Sequence, residues 1–127
     1  MNLILDQGNS SVKVGVFDKN QLIYSVRWDT FTEEQLVKIV EQFPIDASLC
    51  SSVARDETEI LEVLKKYISA VKVWSTMDEL PLKNLYKTPE TLGKDRLAAC
   101  IGANYLEPNQ NLLVIDAGTA ITYDVVT

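Results

Sequence analysis

A short apolar run ending in Asp-x-Gly occurs twice in this chain. Leu3-Ile4-Leu5-Asp6-Gln7-Gly8-Asn9-Ser10 near one end is echoed by Leu113-Val114-Ile115-Asp116-Ala117-Gly118-Thr119-Ala120 near the other. Each run reads as a buried strand entering a tight turn, and each is followed by a second β-rich stretch. The glycine allows positive φ and leaves room for a ligand to approach the backbone. Asn9, Ser10 or Thr119 then adds a side-chain donor next to the exposed turn amides. One such turn is a polar hairpin and no more. Two of them point to a phosphate held between related subdomains, each giving one hairpin.

The bulk of the chain limits what else it can be. Its 127 residues amount to about one domain, with 46% hydrophobic and 24% charged residues. No apolar run reaches the roughly 18 residues that a membrane-spanning helix needs, and no basic segment precedes Leu3–Leu5 as a signal peptide would require. The expected location is the cytoplasm. A net charge of −6 without a long Lys/Arg cluster argues against a general nucleic-acid surface. Cys50 and Cys100 lack a CxxC context and read as buried reduced thiols. There is no His, so acid–base chemistry falls to carboxylates.

Along the chain, Asn2–Asp6, Val12–Phe17 and Leu22–Trp28 read as three strands of an antiparallel meander, with Asp18-Lys19-Asn20 as one turn. Thr32 and Gln35 form a capping box for a helix whose Leu36, Ile39, Val40 and Phe43 recur at helical spacing; Pro44 stops it. Ala47–Ser51 is a strand. Asp56 and Glu59 open a second helix, with Ile60, Leu61, Leu64, Tyr67 and Ile68 on its buried face. Val71–Trp74 is a further strand, and strand–helix alternation makes the later strands parallel. Ser75–Glu90 is a loop long enough to be functional. Thr91 caps a helix over Leu92–Leu106 whose Ala98, Ala99, Gly102 and Ala103 permit close approach of another element. Asn111–Asp116 and Ile121–Val126 complete a hairpin, an unfinished layer that either joins the first sheet or begins a second subdomain.

Three groups of residues have chemistry to offer. In the first turn the amides near Gly8 and Asn9 and the Lys13 ammonium suit phosphate, while Asp6 would meet phosphate only through a cation such as Mg²⁺. Both Asp6 and Asp116 also fit the plainer role of turn formers accepting backbone N–H bonds. In Gly93-Lys94-Asp95-Arg96 the carboxylate is ordinary dipole compensation at a helix start. Arg96 in that turn opposes the dipole, and Gly93 costs about 1 kcal/mol relative to Ala. Those two unfavourable choices beside a long loop point to binding: Asp95 as acceptor of a hydroxyl proton, Arg96 as a fork for carboxylate or phosphate. Tyr86 lies in the same loop, where tyrosines often only pack.

Taken together, Asp6-Gln7-Gly8-Asn9-Ser10-Ser11-Val12-Lys13, Gly93-Lys94-Asp95-Arg96 and Asp116-Ala117-Gly118-Thr119-Ala120-Ile121-Thr122 resemble the type III pantothenate kinases of the actin-like, sugar-kinase and Hsp70 ATPase superfamily. Ser51-Ser52-Val53 is similar to a further segment of that family. The resemblance implies an α/β, ribonuclease H-like actin subdomain with a mixed five-stranded sheet over residues 1–110, and the first hairpin of a second subdomain over 111–127. It implies ATP-dependent phosphorylation of pantothenate to 4′-phosphopantothenate, the first step of coenzyme A synthesis, in a homodimer. ATP phosphates would meet Asp6, Gly8, Asn9, Ser10, Lys13, Gly118, Thr119 and Thr122. Pantothenate would meet Tyr86, Gly93, Lys94, Asp95 and Arg96, with Asp95 as general base. Asp6 would serve Mg²⁺, and Asp116 a monovalent cation, K⁺ or NH₄⁺. Family members run to about twice this length, by one domain per roughly 100–200 residues, so the chain is expected to be an N-terminal portion with little activity alone.

Three other readings stand beside this one. Another kinase or phosphatase of the superfamily would share the Asp-x-Gly turns but not Tyr86 with Gly93-x-Asp95-Arg96. A transcriptional activator of the Bvg accessory factor kind would show salt-dependent DNA affinity. A binding domain without catalysis is the plainest of the three.

Overall fold

The computed structural model describes residues 1–53, 57–76 and 78–127. Seven strands and three α-helices follow one another as β1 (Asn2–Gln7), β2 (Val12–Asp18), β3 (Gln21–Trp28), α1 (Glu33–Gln42), β4 (Ala47–Ser52), α2 (Thr58–Tyr67), β5 (Ala70–Val73), α3 (Lys94–Leu106), β6 (Leu112–Ala117) and β7 (Ile121–Val126). Residues 1–74 and 75–127 form two compact units. The division falls earlier in the chain than the 110/111 boundary read from the motifs.

In the first unit the strands make one mixed sheet in the order β3-β2-β1-β4-β5. The meander is antiparallel, whereas β4 runs parallel to both β1 and β5. Strand alternation sends Leu3, Leu5, Val12, Val14, Val16 and Cys50 to one face, where Leu36, Ile39, Ile60, Leu64 and Ile68 cover them. Leu3, Val16, Leu36, Cys50 and Leu64 have no exposed surface at all.

α1 starts as its sequence dictates. The Thr32 hydroxyl accepts from the Gln35 amide at 3.3 Å, and the Gln35 side chain accepts from the Thr32 amide at 2.8 Å, which satisfies two of the orphan donors of the first turn. Asp56, expected to open α2, lies outside the described residues. Tyr67 departs from its expected inward place: its hydroxyl donates to Glu33 at 2.7 Å, and Lys66 donates to the same carboxylate at 3.1 Å. The phenol keeps a water-facing end while strapping α2 to the start of α1. That hydrogen bond and the neighbouring ammonium hold the Glu33 carboxyl below its usual range.

In the second unit β6 and β7 form a separate two-stranded antiparallel sheet packed against α3. Neither strand extends the first sheet. Pro89–Thr91 is a 3₁₀ turn, with the Thr91 hydroxyl bonded to the Thr88 carbonyl at 2.9 Å. Thr91 therefore does not cap α3; Leu92 is extended and Gly93 is the N-cap. Glycine at that position is a favoured choice, so the cost assigned to it inside the helix does not arise. Nothing lies within 4 Å of a Cβ built on Gly102, so the small residue there is not used for close packing among the described residues.

No described helix is long and apolar enough to cross a membrane. Leu36→Ala, which empties a fully buried site between α1 and the sheet, should cost about 2–5 kcal/mol, read from urea unfolding. Leu113→Lys, at a position 62% exposed, should leave the midpoint within about 0.5 kcal/mol.

Candidate functional site

In each Asp-x-Gly turn the glycine amide closes the loop, but the first loop is one residue longer than the second. Asp6 stands directly across the ladder from Lys13, and Asp116 directly across from Thr122. The Gly8 amide donates to the Ser11 carbonyl at 2.9 Å, and the Gly118 amide donates to the Ala120 carbonyl at 3.0 Å. Neither glycine uses the positive φ open to it. Space is what the glycines supply instead: a Cβ on Gly8 or Gly118 would meet nothing nearer than 3.5 Å.

The first turn is also tied to its neighbour strand. Ser52 Oγ donates to Gln7 Oε1 at 2.7 Å, and the Val53 amide donates to the Gln7 carbonyl at 3.0 Å. Thus Gln7, an unspecified position in the motif, joins the end of β1 to Ser52 at the end of β4 and to Val53 just beyond it. A cleft of about 320 Å³ opens beside this turn, lined by Gly8, Asn9, Ser10, Asp29, Phe31 and Glu59 among others.

The second turn leads into β7, whose alternation is the reverse of what its composition suggests. Ile121, Tyr123 and Val125 are 60–71% exposed, whereas Thr122, Asp124 and Val126 are half-buried or buried. Thr122 Oγ1 is buried without a hydrogen-bond partner.

Asp124 meets α3. The Arg96 guanidinium, in the first turn of that helix, donates from Nε to Asp124 Oδ2 at 2.9 Å and from Nη2 to Oδ1 at 2.6 Å. The Tyr86 ring lies beside the same guanidinium, its centroid 5.4 Å from Cζ, within range of a cation–π attraction. The bonds to Asp124 push the Arg96 pKa well above its ordinary value. Sequence reasoning named Tyr86 and Arg96, and the fold brings them together; it missed Asp124, the residue that joins them to the hairpin. The one available signal was a carboxylate inside an otherwise β-branched and aromatic strand.

Asn84, likewise missed, braces the loop that carries Tyr86: its Oδ1 accepts from the Tyr86 amide at 3.0 Å and its Nδ2 donates to the Pro89 carbonyl at 3.5 Å. Asp95 is exposed at the second position of α3, and its carboxylate folds back over Gly93, where a Cβ would collide with it. The exposed Asp95 carboxylate is free to swing aside, so this contact alone does not demand a glycine there. Lys94 precedes it at the first helical position.

A second cleft of about 380 Å³ lies within this unit, lined by Leu85, Tyr86, Leu92, Leu97, Cys100 and Asp124 among others. Cys50 and Cys100 are both buried free thiols, as expected, and burial, with the Asp124 charge second, raises the Cys100 pKa.

A family model described as type III pantothenate kinase matches residues 2–127. The type III pantothenate kinase of Phocaeicola vulgatus is 40% identical over 126 residues, covering 99% of this chain and 52% of that protein. That of Christiangramia forsetii is 40% identical over 131 residues, covering 100% and 53%. That of Porphyromonas gingivalis strain W83 is 42% identical over 127 residues, covering 99% and 51%. The chain spans about half the length of the curated relatives it matches. A crystal structure of a Bacteroides thetaiotaomicron protein of unknown function, described as having an actin-like ATPase fold, aligns with a TM-score of 0.51 at 15% identity. The alignment covers 61% of this chain and 34% of that one, and it supports the fold alone.

Thiol reactivity checks the second cleft. With Cys50 fully buried and Cys100 nearly so, both should react with a disulfide reagent at pH 8 at least about tenfold more slowly in the native chain than in urea. Fast native labelling at Cys100 would show an open cleft floor.

Proposed function

The chain belongs to the type III pantothenate kinase family, and from that premise we propose that the whole protein phosphorylates the hydroxyl of pantothenate with ATP. The observation that carries the reading is the meeting of Arg96 with Tyr86 at the start of α3, beside the space that Gly93 leaves for Asp95. These residue types suit an anionic substrate bearing a hydroxyl. Arg96 takes an oxyanion, the Tyr86 ring gives an apolar wall, and Asp95 accepts the hydroxyl proton as oxygen attacks the γ-phosphorus and the bond to the β–γ bridging oxygen breaks, releasing ADP.

The two glycine turns are assigned to the ATP phosphates. Gly8, Asn9, Ser10 and Lys13 belong to one, and Gly118, Thr119 and Thr122 to the other. The unpartnered Thr122 hydroxyl fits an oxyanion ligand, since a buried hydroxyl without a partner carries a desolvation cost that a bound oxygen offsets. Mg²⁺ commonly takes one or two carboxylates with the rest of its shell from phosphate and water, and Asp6 is the carboxylate offered to it. Bound there, the ion would neutralise charge on the transferring phosphoryl group. Asp116 is offered to K⁺ or NH₄⁺. Residues 111–127 are assigned to a second actin-like subdomain, and a cytoplasmic homodimer completes the proposal.

Phosphoryl transfer depends mainly on positioning and charge neutralisation, so the base has a measurable but limited share. In the intact protein, Asp95→Asn should lower kcat by about 10²–10⁴-fold and leave KM for ATP nearly unchanged. Asp6→Asn should instead weaken the response to Mg²⁺ while pantothenate binding holds. A wild-type kcat for Asp95→Asn would reduce Asp95 to a helix-start carboxylate. Residues 1–127 alone should bind Mg·ATP more weakly than about 10 μM by calorimetry, contacts to the phosphates from the two turns being worth less than roughly 7 kcal/mol.

A further inference from the structure

The edge of Arg96 that faces β7 is fully used. Asp124 accepts from both Nε and Nη2, and a guanidinium holds its five N–H donors in one rigid plane. A carboxylate on the Nε–Nη2 edge leaves the Nη1–Nη2 edge for a second oxyanion, and the plane is fixed while both bonds hold. The Tyr86 ring lies against the same group. The side chains of Arg96 and Asp124 are only 23% and 17% exposed, so water and salt compete weakly for the pair. A cation in the first helical turn is disfavoured by the dipole, and a facing carboxylate offsets this without occupying the second edge.

We propose that Asp124 is a positioning residue that aims the remaining edge of Arg96 at the anionic group of the substrate without touching the substrate itself. This rests on the assignment of Arg96 to pantothenate. If Asp124 merely neutralised Arg96, removing its charge would free the guanidinium and strengthen anion binding. If it aims Arg96, removing its charge weakens binding.

The test uses steady-state kinetics of the intact protein and ¹⁵N NMR of the Arg96 Nε–H group in the 127-residue chain. Asp124→Asn should raise KM for pantothenate about tenfold, with kcat changed less than about threefold and KM for ATP unchanged. Asp124→Glu, which keeps the carboxylate, should recover part of the loss. On an Arg96→Ala background Asp124→Asn should add nothing, because the two act as one unit. The Nε–H proton should exchange slowly in the parent chain and quickly in Asp124→Asn. An unchanged or lowered KM, or an effect that persists without Arg96, overturns the proposal. Should Asp124→Asn fail to fold, Asp124→Glu decides, since a KM shift confined to pantothenate supports positioning and equal losses in kcat and both KM values refute it. A parent protein that does not phosphorylate pantothenate refutes the functional assignment instead. In that case the Nε–H exchange decides the role of Asp124, and rapid exchange in the parent chain overturns it.

Discussion

The placement of β1 at the centre of the first sheet is the constraint on which the rest of that unit depends. Its two buried leucines, Leu3 and Leu5, are shared between an antiparallel neighbour and a parallel one. A slip of one residue would turn both leucines away from α1 and α2, so the register is strongly specified. Asp6 and Gln7 inherit their positions from that register. The Asp-x-Gly turn leaves the strand at a fixed height, where Gln7 meets Ser52 at the end of β4. Apolar burial thus aims a polar loop several residues away.

The second unit solves a different problem. Two strands alone are marginal in water, and β6–β7 gains a layer from α3. The contact between them mixes apolar packing at Leu97 and Val126 with the Arg96–Asp124 pair. A partly buried ion pair is a poor source of net stability, because desolvation offsets most of the attraction. Its stronger effect is orientational, since two parallel hydrogen bonds fix the azimuth of the helix against the hairpin where leucine and valine alone would tolerate rotation. The same pair orders the residues assigned to substrate.

Much of the fold was legible because its signals are local. The alternation of Val12, Val14 and Val16 and the Thr32–Gln35 capping box each specify structure within a few residues. The failures have a common cause in tertiary choice. Tyr67 lies at a helical spacing that reads as inward, yet a hydroxyl and a nearby Glu33 make the strap more favourable. In β7 periodicity reveals alternation but not which set faces in, and the apolar set Ile121, Tyr123 and Val125 faces out. Asp124 was missed for that reason. Arg96 was found because the motif and the helix dipole both singled out its turn, and Tyr86 through the family resemblance, whereas nothing local distinguishes Gln7 from any polar residue.

Two of the ion pairs among the described residues differ in their exposure. The Glu33–Lys66 pair between α1 and α2 is 42% and 56% exposed, against 23% and 17% for Arg96 and Asp124. Mobile ions screen the first and largely miss the second. Ionic strength therefore acts unevenly along this chain: concentrated electrolyte loosens the strap between the first two helices while the helix–hairpin joint keeps its attraction.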